Sequence, residues 1–246
     1  MALRQSNNSA VVIGSSGGLG HGFVTSLAES NRFDRIYALS RMKNRSFPTS
    51  VQWCPVDLEN EEAIDAAATT VKEGGVPITL IIVATGTLHA GDALQPEKTW
   101  RTQTQNAFNR NFLINTIGPA LIAKHFLRLL DHQKRSIFAA LSARVGSISD
   151  NRLGGWHAYR ASKAALNMLI RNYAIELTYK NPLAVCVGLH PGTVDTALSK
   201  PFQSNVPVEQ LFTPKFAASR LLNVLYTLKP ENSGKVFAWD GKVVPE

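Results

Sequence analysis

The sequence predicts an α/β protein built on one doubly wound parallel sheet of about seven strands with helices on both faces. Short β-branched or nonpolar runs alternate with amphipathic stretches, and a glycine cluster directly follows the first run. No internal repeat or low-complexity tract divides the 246 residues. Alternating strands and helices imply right-handed crossovers, which make the strands parallel. We therefore expect a single domain over residues 1–246.

Each element has its own signal along the chain. The strand candidates are short runs rich in β-branched and nonpolar residues, at 10–13, 35–39, 51–56, 79–84, 136–141, 183–189 and 236–239. The helix candidates carry nonpolar residues at helical spacing, at 20–30, 59–72, 105–130, 157–178 and 216–227. The segment 191–214 is rich in Pro, Ser and Thr. It is predicted to be an insertion of loops and short helices, a usual place for a substrate lid.

The composition excludes several classes of protein. Hydrophobic residues make up 44% of the chain and charged residues 18%, which is a globular balance and not a disordered one. The purely nonpolar runs are too short to span a bilayer, so no membrane association is expected. Cys54 and Cys186 lie far apart inside β-like runs. Two buried thiols in a reducing cytoplasm are therefore expected instead of a disulfide scaffold.

The glycine cluster after the first strand has the spacing Gly-x-x-x-Gly-x-Gly. Glycines allow a tight turn there and let backbone N–H groups approach a pyrophosphate at the positive end of the next helix. A plain flexible turn would contain the same residues, but the position between strand and helix favours nucleotide binding in a Rossmann fold. The residues predicted to contact the phosphates are Gly14, Ser15, Ser16, Gly18, Leu19 and Gly20.

The end of the second strand carries no acidic residue, although a carboxylate there would bind the ribose hydroxyls and repel a 2′-phosphate. Ser40 and Arg41 stand there instead, with Lys43 nearby. A hydroxyl and a guanidinium suit a ribose phosphate, so NADP(H) is predicted over NAD(H); the alternative is that Arg41 is one more surface arginine. Asp57 ends the third strand, where it could accept the adenine amino group or equally cap the helix of 59–72.

Tyr159 and Lys163 lie four residues apart near the start of the helix of 157–178, so they share one helical face. A phenol with a pKa near ~10 is a poor acid–base group at neutral pH. A nearby ammonium and a cationic nicotinamide ring would lower that pKa. A Tyr-x-x-x-Lys spacing arises by chance in roughly one such chain in four, so its weight comes from its combination with the glycine loop.

Several ordered motifs together identify a family. They are Gly14-x-x-x-Gly18-x-Gly20, Asp57, Asn115, Tyr159-x-x-x-Lys163 and His190-Pro191-Gly192-Thr193-Val194-x-Thr196. With these motifs the whole chain resembles the short-chain dehydrogenase/reductase family. The stretch 146–167 is similar to the C-factor/sniffer-like carbonyl reductases within it.

The resemblance implies a role for each matching residue. Tyr159 would exchange a proton with the substrate oxygen, and Lys163 would hold the nicotinamide ribose and lower the pKa of Tyr159. Asn115 would keep a water in place that links Lys163 to solvent. Further cofactor contacts are implied at Asp57, Leu58, Ala84, Thr85, Gly86, Tyr159, Lys163, Pro191, Gly192, Val194 and Thr196.

The serine that should polarise the substrate oxygen departs from the family pattern. Ala143 stands at the usual position, Ser142 lies one residue early, and Ser147 lies closer to the usual separation from Tyr159. Ser142 is preferred because it lies at the carboxyl edge of its strand, where ligands collect in such sheets.

The predicted function is NADPH-dependent reduction of a small carbonyl compound by a cytoplasmic homodimer or homotetramer. The alternative is a nucleotide-bound regulator that keeps the fold with weak or no turnover. No metal is expected, because the histidines lack metal-ligand spacing. The net charge of +8 is scattered and comes with no helix-turn-helix or aromatic-basic motif, so nucleic acid is not an expected partner. The sequence names no particular substrate.

Overall fold

The computed structural model describes residues 7–43 and 46–246. Its strands are β1 (Ser9–Ile13), β2 (Arg35–Ser40), β3 (Val51–Pro55), β4 (Ile78–Val83), β5 (Ser136–Leu141), β6 (Ala184–His190), β7 (Thr193–Val194), β8 (Leu211–Phe212) and β9 (Val236–Ala238). Seven of them form one parallel sheet in the order β3-β2-β1-β4-β5-β6-β9, and β7 pairs with β8 in a separate ribbon. The predicted doubly wound sheet of seven strands is confirmed.

Helices cover both faces of the sheet. They are α1 (Gly18–Ser30), α2 (Glu61–Glu73), α3 (Gln105–Phe112), α4 (Gly118–Phe126), α5 (His157–Lys180) and α6 (Pro214–Thr227). Alternate strand residues point to opposite layers: Val11 and Ile13 pack in the core with α2, α4 and α5, whereas Ala10 and Val12 pack with α1 and α6. Burial on both faces explains why the strands of the sheet are largely nonpolar runs; the edge strand β3, which is partly exposed, is the exception.

The order of the strands reverses next to β1, which pairs with β2 on one side and with β4 on the other. Loops from the carboxyl ends of β1 and β4 therefore leave the sheet in opposite directions. In open α/β sheets, ligands bind in the crevice that forms at such a point. The fold thus brings the glycine loop, the end of β4 and the end of β5 to one edge.

The single helix predicted at 105–130 is wrong in one respect. Between α3 and α4 the chain forms a π-helical segment, Leu113–Ile117, and a 3₁₀ turn follows α4 at Leu127–Leu129. Pro119 has no N–H to donate to Asn115, four residues before it, and the N–H of Gly118 donates to Leu113 five residues back. The proline thus explains a local widening that nonpolar periodicity does not show.

The start of α2 corrects one alternative. The side chain of Asn60, and not that of Asp57, caps the helix by accepting the N–H of Ala63 at 3.2 Å. Asp57 instead accepts the N–H of Glu59 at 3.1 Å in the turn before the cap. The other observed boundaries differ from the predicted ones by at most two residues. The segment 191–214 contains the short turns Lys200–Phe202 and Val208–Gln210. It also contains the β7–β8 ribbon, which its composition does not predict.

Candidate active site

The glycine loop turns sharply at the carboxyl end of β1. Gly14 has φ +88°, and the N–H groups of Gly14 and Ser15 donate to the same carbonyl, that of Leu39, at 2.8 and 3.0 Å. A Cβ on Gly20 would lie 2.1 Å from the carbonyl oxygen of Gly14, so only glycine fits there. The first turn of α1 contains no acidic residue. Its positive dipole end is thus available to an anion.

The surroundings of this loop fit the phosphates of a dinucleotide. The hydroxyls of Ser15 and Thr85 are buried and have no hydrogen-bond partner among the described residues. Buried polar groups are normally paired, so two such hydroxyls at one edge of the sheet indicate a polar ligand. A Cβ on Gly18 would lie 2.7 Å from Cγ2 of Thr196, which shows how closely the segment after β7 approaches the loop.

Ser40 and Arg41, the residues predicted to bind the ribose phosphate, differ in whether their side chains are free to do so. Ser40 is buried; its hydroxyl donates to the carbonyl of Met42 at 3.0 Å and accepts the indole N–H of Trp53 at 3.0 Å. A hydroxyl has one proton, and here that proton is committed to Met42. Arg41 is exposed at the same strand end. The guanidinium of Arg41 is therefore the group that remains available for a phosphate.

The remaining predicted cofactor residues line the same edge. Leu58 is buried, and a Cβ on Gly118 would lie 3.0 Å from it. The N–H of Ala84 bonds to the carbonyl of Ile13 at 2.8 Å, which joins the end of β4 to β1. In the segment after β6, Gly192 has φ +74°, Val194 is buried and Thr196 donates to the carbonyl of Val194 at 3.4 Å. The other residues of this set are Ser16, Leu19 and Pro191.

Tyr159 and Lys163 lie together in the first turns of α5, as their spacing predicts. Both are buried, with 8% and 2% of their surface exposed. The Nζ of Lys163 lies 5.8 Å from the centre of the Tyr159 ring and donates to the carbonyl of Leu141, at the end of β5, at 2.8 Å. The ammonium is thus fixed between the sheet edge and the phenol.

Burial controls the protonation of this pair. It raises the pKa of Tyr159 to about 12 and lowers the pKa of Lys163 to about 8. Desolvation is the cause of the raised tyrosine pKa, so the expected lowering by the lysine is absent when only the protein's own groups are considered. Near pH 7 the phenol is protonated, which is the form that a general acid needs, and the lysine is mainly charged.

Asn115 lies in the π-helical segment and is fully buried. Its Oδ1 accepts the N–H of Thr87 at 2.8 Å, and its Nδ2 donates to the carbonyl of Thr87 and to the hydroxyl of Ser162. A Cβ on Gly86 would lie 3.4 Å from Oδ1 of Asn115 and 3.5 Å from Nζ of Lys163. The asparagine and the lysine therefore face the same small space beside Gly86.

The two candidate serines use their hydroxyls elsewhere. Ser142 donates to Oδ1 of Asn167 at 2.6 Å, and Asn167 follows Tyr159 by two helical turns. Ser147 accepts the N–H of Asp150 at 3.1 Å and donates to the carbonyl of Glu246 at 3.5 Å. The hydroxyl proton that the sequence analysis assigns to a substrate is therefore shared with Asn167 in this geometry.

Sequence reasoning missed Glu97, which lies in the long loop between β4 and α3. Its side chain is only 5% exposed, and Oε2 accepts the N–H of Ala158, the residue before Tyr159, at 3.3 Å. The contact joins residues 61 positions apart. Nothing in the spacing of the sequence signals a contact over that distance, and a lone glutamate in a polar loop is unremarkable.

Comparisons with known proteins identify the family of the chain. The family model described as short chain dehydrogenase matches residues 8–207. The chain is 35% identical over 136 residues to C-signal of Myxococcus xanthus, covering 55% of this chain and 76% of that protein.

Two solved structures are similar over nearly the whole chain. The NADPH-bound carbonyl reductase from chicken fatty liver has a TM-score of 0.81 and 28% identity, with 97% of this chain and 98% of that chain covered. The carbonyl reductase Sniffer of Drosophila melanogaster also has a TM-score of 0.81, at 21% identity, with 98% and 99% covered. In the described part of the chain no helix is both long enough and nonpolar enough to cross a membrane. The protein belongs to the short-chain dehydrogenase/reductase family of NAD(P)-dependent oxidoreductases.

Proposed function

We propose that the protein reduces a small aldehyde or ketone to an alcohol with NADPH, and that Tyr159 is the general acid. The observation that supports this most directly is the buried pair of Tyr159 and Lys163 at the carboxyl edge of the sheet, beside the glycine loop. A buried phenol with a raised pKa keeps its proton until a developing alkoxide takes it.

The chain's own residues divide the remaining work. Bound NADPH would supply the hydride. The glycine loop and the N-terminus of α1 would hold the pyrophosphate, and the hydroxyl of Ser15 is a free donor there. Lys163 would hold the nicotinamide ribose hydroxyls. It also supplies the positive charge that stabilises the phenolate left after proton transfer.

Asn115 maintains the route by which Tyr159 regains its proton. Its amide fixes the backbone of Thr87 and the hydroxyl of Ser162, and it borders the space beside Gly86 that Lys163 also borders. A water held in this space would pass protons from solvent to Lys163. Ser142 stays a prediction as a second donor, because its hydroxyl would have to leave Asn167 to reach a substrate.

The finer properties of the protein form part of the same proposal. Arg41 would select NADP(H) over NAD(H) by pairing with the 2′-phosphate. A homodimer or homotetramer would cover the exposed nonpolar side chains of Met168, Ile175 and Tyr179, which recur along one face of α5. Two free, buried cysteines suit a reducing cytoplasm.

The experiment that tests the function is substitution of the proposed acid. Tyr159→Phe keeps the ring and removes the hydroxyl with its proton, so the reduction rate should fall by ~10²-fold or more while NADPH binds with unchanged affinity. NADPH oxidation is followed with a panel of aldehydes and ketones, and binding is measured by fluorescence titration. Lys163→Ala should also weaken NADPH binding, because the ribose contact is lost.

Two results would contradict the proposal in different ways. A Tyr159→Phe variant that keeps more than half of the wild-type rate would exclude Tyr159 as the acid. A wild-type protein that binds NADPH tightly but reduces no carbonyl compound of the panel would favour the nucleotide-bound regulator instead.

A further inference from the structure

Trp156, the residue before α5, has a backbone conformation that is costly for its type. Its φ is +50°, and it follows Gly154 and Gly155, whose φ values are +63° and +64°. Glycines adopt such a conformation freely, but in a tryptophan it persists only where the surroundings hold it. Here the N–H of Trp156 donates to the carbonyl of Glu97 at 2.5 Å, and Arg160 donates to the carbonyls of both glycines. These contacts hold the backbone of Trp156 in this conformation.

The Trp156 ring lies beside Tyr159, and two more rings from other segments lie next to it. We call Trp156, Phe202 and His89 the ring wall. The centre of the Trp156 ring lies 6.2 Å from that of Tyr159 and 5.1 Å from that of Phe202, and His89 lies 5.7 Å from Phe202. The first ring belongs to the loop before α5, the second to the segment 191–214 and the third to the loop after β4.

The ring wall ties the segment 191–214 to the proposed site. The Nε2 of His89 shares a hydrogen bond of 3.0 Å with the carbonyl of Ala197, which holds the two loops together. All three residues are partly exposed. The loop before α5 also exposes Ile148 and Leu153, and the segment 191–214 also exposes Val208. The segments that contribute Trp156 and Phe202 thus present further nonpolar side chains to solvent.

Resting on the proposed function, we propose that the ring wall selects flat, conjugated carbonyl compounds, such as aryl aldehydes and aryl ketones, over saturated ones of the same size. Aromatic rings attract one another in offset-stacked or edge-to-face arrangements with centres about 4.5 to 7 Å apart. The arrangements within the wall are of this kind, tilted or edge-to-face. A flat aromatic ring attached to the carbonyl can make the same kind of contact with the wall, whereas a puckered saturated ring cannot. Phe202 and Trp156 are thereby specificity-determining residues.

A matched pair of substrates tests the proposal. Acetophenone and cyclohexyl methyl ketone have the same carbon skeleton and differ in whether the ring is flat. We expect the wild-type kcat/KM to favour acetophenone, and Phe202→Leu to reduce that preference by about 3- to 10-fold. The intrinsic reactivity of the two ketones cancels when the preferences of the two proteins are compared. Phe202→Tyr, which keeps a ring, should keep the preference.

The matched control is Phe216→Leu, since Phe216 is 45% exposed and its ring belongs to a separate cluster with Phe212 and Trp239. It should leave the preference unchanged. If Phe202→Leu fails to fold, His89→Leu provides the second variant, with a smaller expected loss of preference. An unchanged preference in the folded Phe202→Leu or His89→Leu protein would overturn the proposal.

A binding measurement separates this proposal from the proposed function. The two ketones are titrated calorimetrically into the NADPH complex of Tyr159→Phe, in which turnover does not interfere. Tighter binding of acetophenone supports the ring wall even if the wild type reduces neither ketone, a result that would contradict only the proposed function. Equal binding, or tighter binding of the saturated ketone, overturns the ring wall even if both ketones are reduced.

Discussion

At the scale of single residues, the hydrogen bonds that a hydroxyl already makes determine whether it is available to a ligand. Ser40 and Arg41 were predicted together as phosphate contacts, but the proton of Ser40 goes to Met42. In the proposed function, selection of the 2′-phosphate would then depend on Arg41, which is exposed. A guanidinium–phosphate pair is charge-assisted and can be bidentate, and pairs of this kind discriminate by about tenfold or more.

We expect the wild type to bind NADPH at least ~10-fold more tightly than NADH, and Arg41→Ala to remove most of that preference. NADH affinity should change little, because NADH lacks the 2′-phosphate that the guanidinium would contact. Fluorescence titrations with both nucleotides measure this. Ser40→Ala is the matched comparison, and it should reduce the affinity for NADPH less than Arg41→Ala does. Equal affinities for the two nucleotides in the wild type would show that Arg41 points into solvent.

The same reasoning applies to Ser142, whose proton is shared with Asn167. Ala143 stands one residue later, at the position where the family has its second serine. Removing a hydroxyl aimed at an oxyanion costs a few kcal/mol, and supplying one should recover part of that amount.

We therefore expect Ala143→Ser to raise kcat by about 3- to 30-fold, and Ser142→Ala to lower it by less than about 10-fold. Single-turnover reduction of a saturating ketone measures the chemical step in each variant. A larger loss in Ser142→Ala, with no gain in Ala143→Ser, would restore Ser142 as the donor to the substrate.

At the scale of elements, the start of α5 depends on a residue from another loop. Trp156 provides no side-chain cap for this helix. Glu97 takes that role by accepting the N–H of Ala158, and its negative charge lies at the positive end of the helix dipole. Because Tyr159 follows Ala158 directly, the same contact should set the position of the phenol.

Glu97→Ala should lower the free energy of unfolding by about 1 to 2 kcal/mol, as the loss of a cap does. It should also lower kcat and leave the affinity for NADPH unchanged. Glu97→Gln keeps an acceptor oxygen and should recover most of both losses. Urea unfolding and steady-state kinetics measure the two effects. Glu231→Ala, at an exposed turn, is the control. A Glu97→Ala protein with wild-type kcat would show that Tyr159 is positioned without this contact.

The elements also show what a sequence can predict. The sequence locates the seven strands of the sheet within two residues because all of them except the edge strand β3 are largely buried on both faces and form nonpolar runs. The glycine loop and the Tyr159–Lys163 pair were found because their geometry is local, within one turn or one helical face. The contacts of Ser40 with Trp53, of Ser142 with Asn167 and of Glu97 with Ala158 join distant parts of the chain. Residue spacing contains no information about such contacts.

At the scale of the whole molecule, the buried lysine of the proposed site lowers the free energy of unfolding, and the size of this effect depends on pH. Burial lowers the pKa of Lys163 to about 8, so the folded protein binds this proton more weakly than the unfolded chain does. Between pH 8 and the ordinary pKa of a lysine, the unfolded chain holds a proton that the folded protein has lost. The free energy of unfolding contributed by Lys163 therefore rises with pH over this window.

Other buried groups act in the opposite direction at higher pH. Burial raises the pKa of Tyr159 to about 12 and also raises that of the Cys186 thiol, so the folded protein retains these protons longer than the unfolded chain does. Their effect lowers the free energy of unfolding as pH rises through the ordinary pKa values of a thiol and a phenol. Both groups are present in the wild type and in Lys163→Met, so their contribution cancels in the difference between the two proteins.

We expect the free energy of unfolding of the wild type to gain about 2 kcal/mol relative to Lys163→Met between pH 8 and pH 10, since each unit of pKa shift corresponds to about 1.4 kcal/mol. Methionine keeps a long nonpolar chain at this position and removes the titrating group. Urea unfolding at half-unit steps of pH, without nucleotide, measures the difference. Parallel pH profiles for the two proteins would show that the Lys163 ammonium is solvated in the folded state. The same result would remove the desolvated lysine from the account of Tyr159, because a solvated ammonium would stabilise the phenolate much less.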